Sequence, residues 1–376
     1  MTNVNGVDLD TSKQVQKKIR ALGVVLPQFH PIPENNEWWG KGFTEWTNVA
    51  KAKPQFRGHY QPHIPADLGF YDLRLEEARI HQAELAKEYN IYGFCYYHYW
   101  FHGKRLLERP IDEIVASGKP DFPFCLCWAN EPWNRNWDGF NHKVLQDQVY
   151  SDEDHLNHIT YLIEIFKDKR YIKVDGRPLF IVYKAKSIPN VREMLDIWNK
   201  EAKKAGFEKG VYFLSTTASG FHENPDSFGF EGSWDFLPHV FTEFNKISFI
   251  SRIFIKIKSL FGKRSNRLIL YKTIVNKAIQ TYRHFKEWKK FPCVCPCWDN
   301  TPRRQTNAWI LHNSTPELYE KWLASTCDKF EPYSEEENFV FINAMNEWAE
   351  GNHLEPDLKW GLKYLEATKR ILDKYK

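Results

Sequence analysis

The stretch NFVFINAMNEWAEGNHLEP, residues 338–356, sets a short apolar run directly in front of three glutamates, a tryptophan and a histidine. The run itself reads as a buried β-strand. Burying carboxylates costs several kcal/mol unless they are paired or used, so a strand that ends in such a cluster carries chemistry at its C-terminal end.

Seven other apolar runs behave alike. They are LGVVLPQF (22–29), IYGFCYYHY (91–99), FPFCLCWA (122–129), PLFIVYK (178–184), VYFLST (211–216), GFEGSWDF (229–236) and CVCPCW (293–298). Helical patterns at 72–90, 152–168, 190–206, 315–330 and 357–375 alternate with them. Strands alternating with helices predict parallel βαβ units, and eight strands close a (β/α)8 TIM barrel. A doubly wound open sheet is the alternative, but no Gly-rich phosphate loop follows any strand. The expected domain is a single barrel over 21–376 with long strand-end loops, behind a flexible segment at 1–20.

Loop chemistry supports a barrel. The strand-to-helix loops hold EWWGKGFTEWTNV, YYHYWFHGKRLLERP, CWANEPWNRNWDG and WDNTPRR, whereas the opposite connections, such as EYN, are plain. In a barrel the C-terminal strand ends form the active-site face. Aromatic residues reach 16%, with 15 Trp, and Trp38, Trp39, Trp46, Trp100, Trp128, Trp133 and Trp137 fall in these loops rather than in helix stripes. Two or three rings stacked on sugar faces would suffice for a saccharide site.

Glu347 and Glu350 are three residues apart, so a helical turn after Met345 would place both on one face about 5–6 Å apart. Such a pair can divide into one protonated acid and one ionised carboxylate, as glycoside hydrolysis requires. A solvated Glu-x-x-Glu face is the plainer reading, against which Asn346, Trp348 and the strand-end position argue. Gln28, His30, Trp46, His98, Trp128, Asn130, Glu131, Trp133, Asn346 and Trp348 are the expected substrate-binding residues. Glu131, in ANEPW, is read as a hydroxyl acceptor; an acid/base role and a salt bridge to Arg135 are the other readings.

The motifs LPQFHPIPENNEWWGKGFTEWTNV, PADLGFYDLR, YGFCYYHYWF, FCLCWANEPW and NAMNEWAEGNHLEP together resemble the WbsX family, the glycoside hydrolase family 99-like proteins. Family 99 comprises retaining endo-α-mannosidases and endo-α-mannanases on a (β/α)8 barrel without a metal. The resemblance implies that Glu347 is the base acting on the sugar's own 2-hydroxyl, through a 1,2-anhydro sugar, and that Glu350 is the acid/base on the glycosidic oxygen. WbsX-like proteins are usually encoded beside surface-polysaccharide biosynthesis genes and often labelled glycosyltransferases. A retaining glycoside hydrolase or transglycosylase acting on a bacterial surface polysaccharide, an O-antigen for example, or on its lipid-linked precursor is therefore expected. A glycosyltransferase is the first alternative and a non-catalytic carbohydrate-binding protein the second. The Asp-x-Asp candidates of a transferase, 8–10 and 152–154, lie off the rim, the second opening a helix.

No metal or cofactor is expected. The seven cysteines lack zinc-type C-x-x-C spacing, and Cys125/Cys127 and Cys293/Cys295/Cys297 alternate within apolar runs as small hydrophobes. The N-terminus shows no apolar signal core, and no run reaches the roughly 18–20 residues of a membrane span. A reducing, cytoplasmic compartment is expected. Charge is uneven: residues 246–290 hold thirteen Lys and Arg against one acid, a net +12 in a chain of +4, so the remainder carries −8. ISFISRIFIKIKSLFGKR (247–264) has helically spaced apolar residues with basic flanks, the pattern of an interfacial helix. It predicts a basic helical insertion between strands six and seven, touching an anionic membrane surface or a lipid-linked glycan at the inner leaflet. Nucleic acid is not expected, since no binding motif accompanies the charge.

Overall fold

The computed structural model describes residues 17–134, 144–218, 223–238, 266–304 and 306–376. Eight parallel strands form the barrel: β1 (Arg20–Val25), β2 (Gly93–Phe101), β3 (Phe124–Trp128), β4 (Arg177–Val182), β5 (Tyr212–Thr216), β6 (Gly232–Trp234), β7 and β8 (Phe339–Ile342). Strand β7 comes in two pieces, Lys289–Phe291 paired with β6 and Cys293–Val294 paired with β8. Pro292, which has no N–H to donate, sits at the break. Each strand is hydrogen-bonded to its sequence neighbours, and β8 pairs with β1 through Gly23↔Ile342. The ring therefore closes. Sequence placed all eight strands, with ends displaced by a few residues: β1 stops at Val25, and β7 begins at Lys289 rather than Cys293.

Every residue of β2, β3 and β5 is buried, as expected of strands covered on both faces. The loop after β1 carries two short helices, α1 (Pro33–Trp39) and α2 (Glu45–Lys51), before the first barrel helix α3 (Glu76–Glu88). Outside the strands lie α4 (Arg109–Ser117), α5 (Asp152–Phe166), α6 (Val191–Lys204), α7 (Tyr271–Thr281), α8 (Pro316–Lys329) and α9 (Lys363–Leu372). Local chemistry starts two of them. The Ser151 hydroxyl accepts from Asp154 N at α5, and Thr315 accepts from Leu318 N at α8. Between β5 and β6 the described residues form only a 3-10 turn, Pro225–Phe228.

The amphipathic stretch 247–264 lies outside the described residues. Residues 267–290, the remainder of the expected insertion, form a strand of a separate two-stranded sheet, the helix α7 and the start of β7. Arg267–Leu270 pairs in parallel with Trp309–His312, α7 packs beside α8, and Lys289 and Lys290 enter β7. Part of the positive charge is matched there, Lys290 Nζ lying 3.2 Å from Asp235 and Lys289 pairing with Glu337. Of the expected flexible segment 1–20, residues 17–20 are placed, Ile19 N donating to Tyr375 O at 3.0 Å, and 1–16 lie outside the described residues. All seven cysteines are buried and free. No described helix is long and apolar enough to cross a membrane.

Candidate active site

Strand β8 ends in a small hairpin in which Asn346–Glu347 pairs antiparallel with Asn352–His353. A single 3-10 turn, Trp348–Glu350, joins the two sides. The helical turn expected after Met345 is thus replaced by a tighter bend. Gly351 closes it at φ +55°, where a Cβ would sit 2.9 Å from Asp299 O. Asp299 N donates to Glu350 O at 2.6 Å, fastening the hairpin to the loop after β7.

That loop supplies Arg303, which divides its two terminal nitrogens between the expected pair. Nη2 lies 3.0 Å from Glu347 Oε2, and Nη1 lies 2.8 Å from Glu350 Oε1. A third carboxylate, fully buried Glu45 at the start of α2, reaches the same Nη2 at 3.0 Å. Three carboxylates thus share one guanidinium. Burial drives the Glu347 carboxyl up to about 8; Arg303 opposes this, and the Glu350 and Glu45 charges add to it. Burial likewise raises Glu45, with Arg303 opposing. The site therefore retains a proton near neutral pH, shared within a coupled group.

Glu347, Glu350 and Arg303 open into a cleft of about 370 Å³ at the C-terminal strand ends. Gln28, Glu131 and Trp133, all expected from sequence, line it, together with Tyr97, Tyr99 and Tyr183. Trp133 meets Tyr99 edge-on at 5.2 Å and Trp38 at 5.7 Å. Burial first, and then the Glu347 charge, hold the Tyr97 and Tyr99 hydroxyls protonated as donors. Glu131 pairs with Lys184. Its expected alternative partner, Arg135, lies outside the described residues, as does Trp137.

The other expected binding residues do not line this cleft; all are buried except half-buried Trp46. In β2, side chains alternate: Tyr97 and Tyr99 face the cleft, while His98 and Trp100 turn toward α5. There His98 Nε2 meets His158 Nε2 at 2.8 Å, and Trp100 stacks on His158 at 4.4 Å. Fully buried Trp128 donates to Trp100 O and packs against Trp198. Asn130 bridges strand ends, accepting from Lys184 N at 2.7 Å and donating to Lys184 O at 2.9 Å. Asn346 does the same for β1, accepting from Leu26 N at 2.7 Å and donating to Leu26 O at 3.0 Å. Trp46 donates to Tyr71 O and packs on Trp348. Trp348 donates to buried Glu355, which Tyr71 and Gln82 also reach; burial raises that carboxyl to about 7. His30 is buried near Asp72 and Arg74, and burial depresses it to about 4.

Sequence reasoning did not single out Arg303, Glu45 or the tyrosines. Their one signal was position, in WDNTPRR, FTEW and CYYHY at strand ends. Among the described residues, one group of side chains converges as metal ligands would: His63, His353 and Asp357, all buried and beside the hairpin. A smaller void of about 50 Å³ adjoins them.

Comparison with known proteins shows the family and agrees with the fold. The family model described as Glycosyltransferase WbsX matches residues 21–368, and the chain belongs to that family. Two curated relatives, both "Uncharacterized protein WxcX" from strains of Xanthomonas campestris pv. campestris, are 40% identical over 348 residues, or 92% of this chain. The chain spans about half the length of these relatives, 48%. The fold is similar to that of the GH99 endo-alpha-mannosidase of Bacteroides thetaiotaomicron (TM-score 0.55, 14% identity, 95% of this chain and 97% of that one). A solved "Glycoside hydrolase-like protein" aligns with TM-score 0.58 and 12% identity, over 96% of this chain and 95% of its own. At such identities the likeness concerns the (β/α)8 fold.

Proposed function

We propose that this chain is a carbohydrate-active enzyme that cleaves a glycosidic bond with retention, as a hydrolase or transglycosylase, in a bacterial surface polysaccharide or its lipid-linked precursor. The observation that supports it most is the Arg303 fork, which holds Glu347 and Glu350 side by side in a cleft walled by Trp133 and tyrosine hydroxyls. Glycoside cleavage needs two carboxyl groups in opposite protonation states, and a guanidinium shared by a carboxylate trio favours that division.

Glu347, ionised in a growing fraction as pH nears about 8, takes the proton of the sugar's 2-hydroxyl, whose oxygen closes on the anomeric carbon as the glycosidic C–O bond breaks. Glu350 is the acid that supplies a proton to the departing oxygen. Water, or a sugar hydroxyl in transfer, then adds at the anomeric carbon as the bond from that carbon to O2 breaks: Glu350 takes the incoming group's proton, and Glu347 returns one to O2. Both carboxyl groups thereby regain their starting states. A base poised near 8 suits removal of a hydroxyl proton.

The family description favours a second reading, a glycosyltransferase. The acids at 152–154 count against a nucleotide-sugar metal motif there, because they open α5 behind the Ser151 cap, where acids suit the helix dipole. The test is mass spectrometry of surface polysaccharide incubated with the protein, with and without nucleotide sugars. New reducing ends or exchanged chain lengths without nucleotide sugar support cleavage; sugar addition that requires nucleotide sugar supports the transferase.

A further inference from the structure

We propose that His63, His353 and Asp357 form a zinc site that staples the loop after α2 to the hairpin bearing Glu347 and Glu350. Their donor atoms lie within 4.8 Å of one another, with His63 Nδ1 2.8 Å and Asp357 Oδ2 3.9 Å from His353 Nε2. Two imidazoles and one carboxylate, with a free fourth position, are a zinc-type donor set.

The surroundings are built for this. His353 Nδ1 lies 2.8 Å from Glu355 O, so that nitrogen carries the proton and Nε2 presents its lone pair to the cluster. Its ring is held flat against Trp348 at 3.8 Å, and His63 is stacked on Tyr60 at 4.3 Å. Asp357 Oδ1 accepts from Lys359 N at 2.9 Å and Trp360 N at 2.6 Å, leaving Oδ2 toward the histidines. Among the described residues, the one ion-pair partner of this buried carboxylate is His353, and the Tyr60 hydroxyl also hydrogen-bonds to the carboxylate. A buried carboxylate without a permanent cation calls for compensation, which a divalent ion supplies.

The fit asks for little movement. Tetrahedral zinc with bonds of about 2.0–2.1 Å needs ligand nitrogens about 3.3 Å apart, so the two rings separate by roughly half an ångström. The His63 proton shifts from Nδ1 to Nε2, and the ring binds neutral. A void of about 50 Å³, lined also by Tyr60, Cys297 and Asp299, offers the fourth position to a water. It is several times the ~10–15 Å³ that a water requires and far too small for a sugar. The consequence is mechanical. Ala66 N already donates to Pro356 O and Leu358 N to Ile64 O, so the ion would lock two strands of chain that are in register.

The experiment titrates the intact, chelator-stripped chain with zinc alone and with cobalt alone. Readouts are bound metal after dialysis, the visible absorption of cobalt, and Tm. The expected result is about one zinc per chain, a tetrahedral cobalt spectrum, a higher Tm, and affinity at least ~10-fold weaker in His63→Gln and Asp357→Asn. Glu347→Gln, outside the donor set, keeps full metal content, so this outcome is separate from that of the glycosidase test. Metal content well below one per chain with no change in Tm overturns the site. So does zinc that binds equally well to His63→Gln, which would place the ion elsewhere.

Discussion

Arg303 Nη2 lies 3.0 Å from Glu347 Oε2, although the residues stand 44 apart on the loops after β7 and β8. The same nitrogen reaches Glu45, and Nη1 reaches Glu350. Removing this guanidinium should therefore strand three carboxylates. Breaking a buried ion pair from one side costs about 3–5 kcal/mol. Arg303→Met is expected to lose stability on that scale in urea unfolding, together with activity. Arg303→Lys, which keeps charge without the fork, should fall between. Unchanged stability in Arg303→Met would mean that the trio is compensated otherwise.

Glu347→Gln should behave in the opposite sense. A neutral isostere relieves crowding among carboxylates, so Tm should hold or rise while turnover falls by about 10²–10⁴-fold. A base must lose its proton to act, so wild-type kcat/KM should climb as pH approaches about 8. Thermal melts and pH–rate profiles check both. A large fall in Tm would make Glu347 a structural residue.

Glu355 gives a stability signature. Its carboxyl is raised from an ordinary 4.5 to about 7 by burial, so the folded state holds a proton that the unfolded chain releases. Its stabilisation is full below about 4.5 and lost as pH rises to about 7. Each pH unit of that window is worth roughly 1.4 kcal/mol, about 3 kcal/mol in all. The stability difference between wild type and Glu355→Gln should shift against wild type across this window, and a difference independent of pH would contradict the assignment.

Trp133→Ala removes a cleft wall. KM should rise roughly 2- to 10-fold, the value of an aromatic contact, with kcat less affected. His98→Phe, turned toward α5, should lower Tm and leave KM alone. The reverse pattern would show the faces of β2 to be exchanged.

That contrast marks where sequence was legible. The eight apolar runs announced the barrel because parallel strands buried on both faces leave little room for polar residues. The same burial hid the facing of each side chain: in GFCYYHYWF every residue is apolar, aromatic or histidine, so alternation leaves no polar stripe to tell Tyr97 and Tyr99 from His98. Glu347 and Glu350 stood out because they are neighbours at a strand end. Arg303 and Glu45 did not, since the contact that gives them meaning spans 258 residues. Nor could spacing foresee His63 meeting His353 across 290 residues, a contact of which cysteine intervals carry no trace.

If the Glu347/Glu350 pair breaks a glycosidic bond, the most direct test is cleavage itself. Surface polysaccharide, or its lipid-linked precursor, is incubated with wild type, Glu347→Gln and Glu350→Gln in ¹⁸O-water without nucleotide sugar. The expected result is new reducing ends formed by wild type and lost in both variants, carrying ¹⁸O at the anomeric carbon for hydrolysis or redistributed chain lengths for transfer. An unaltered polysaccharide with all three proteins, and sugar incorporation once nucleotide sugar is added, would contradict it.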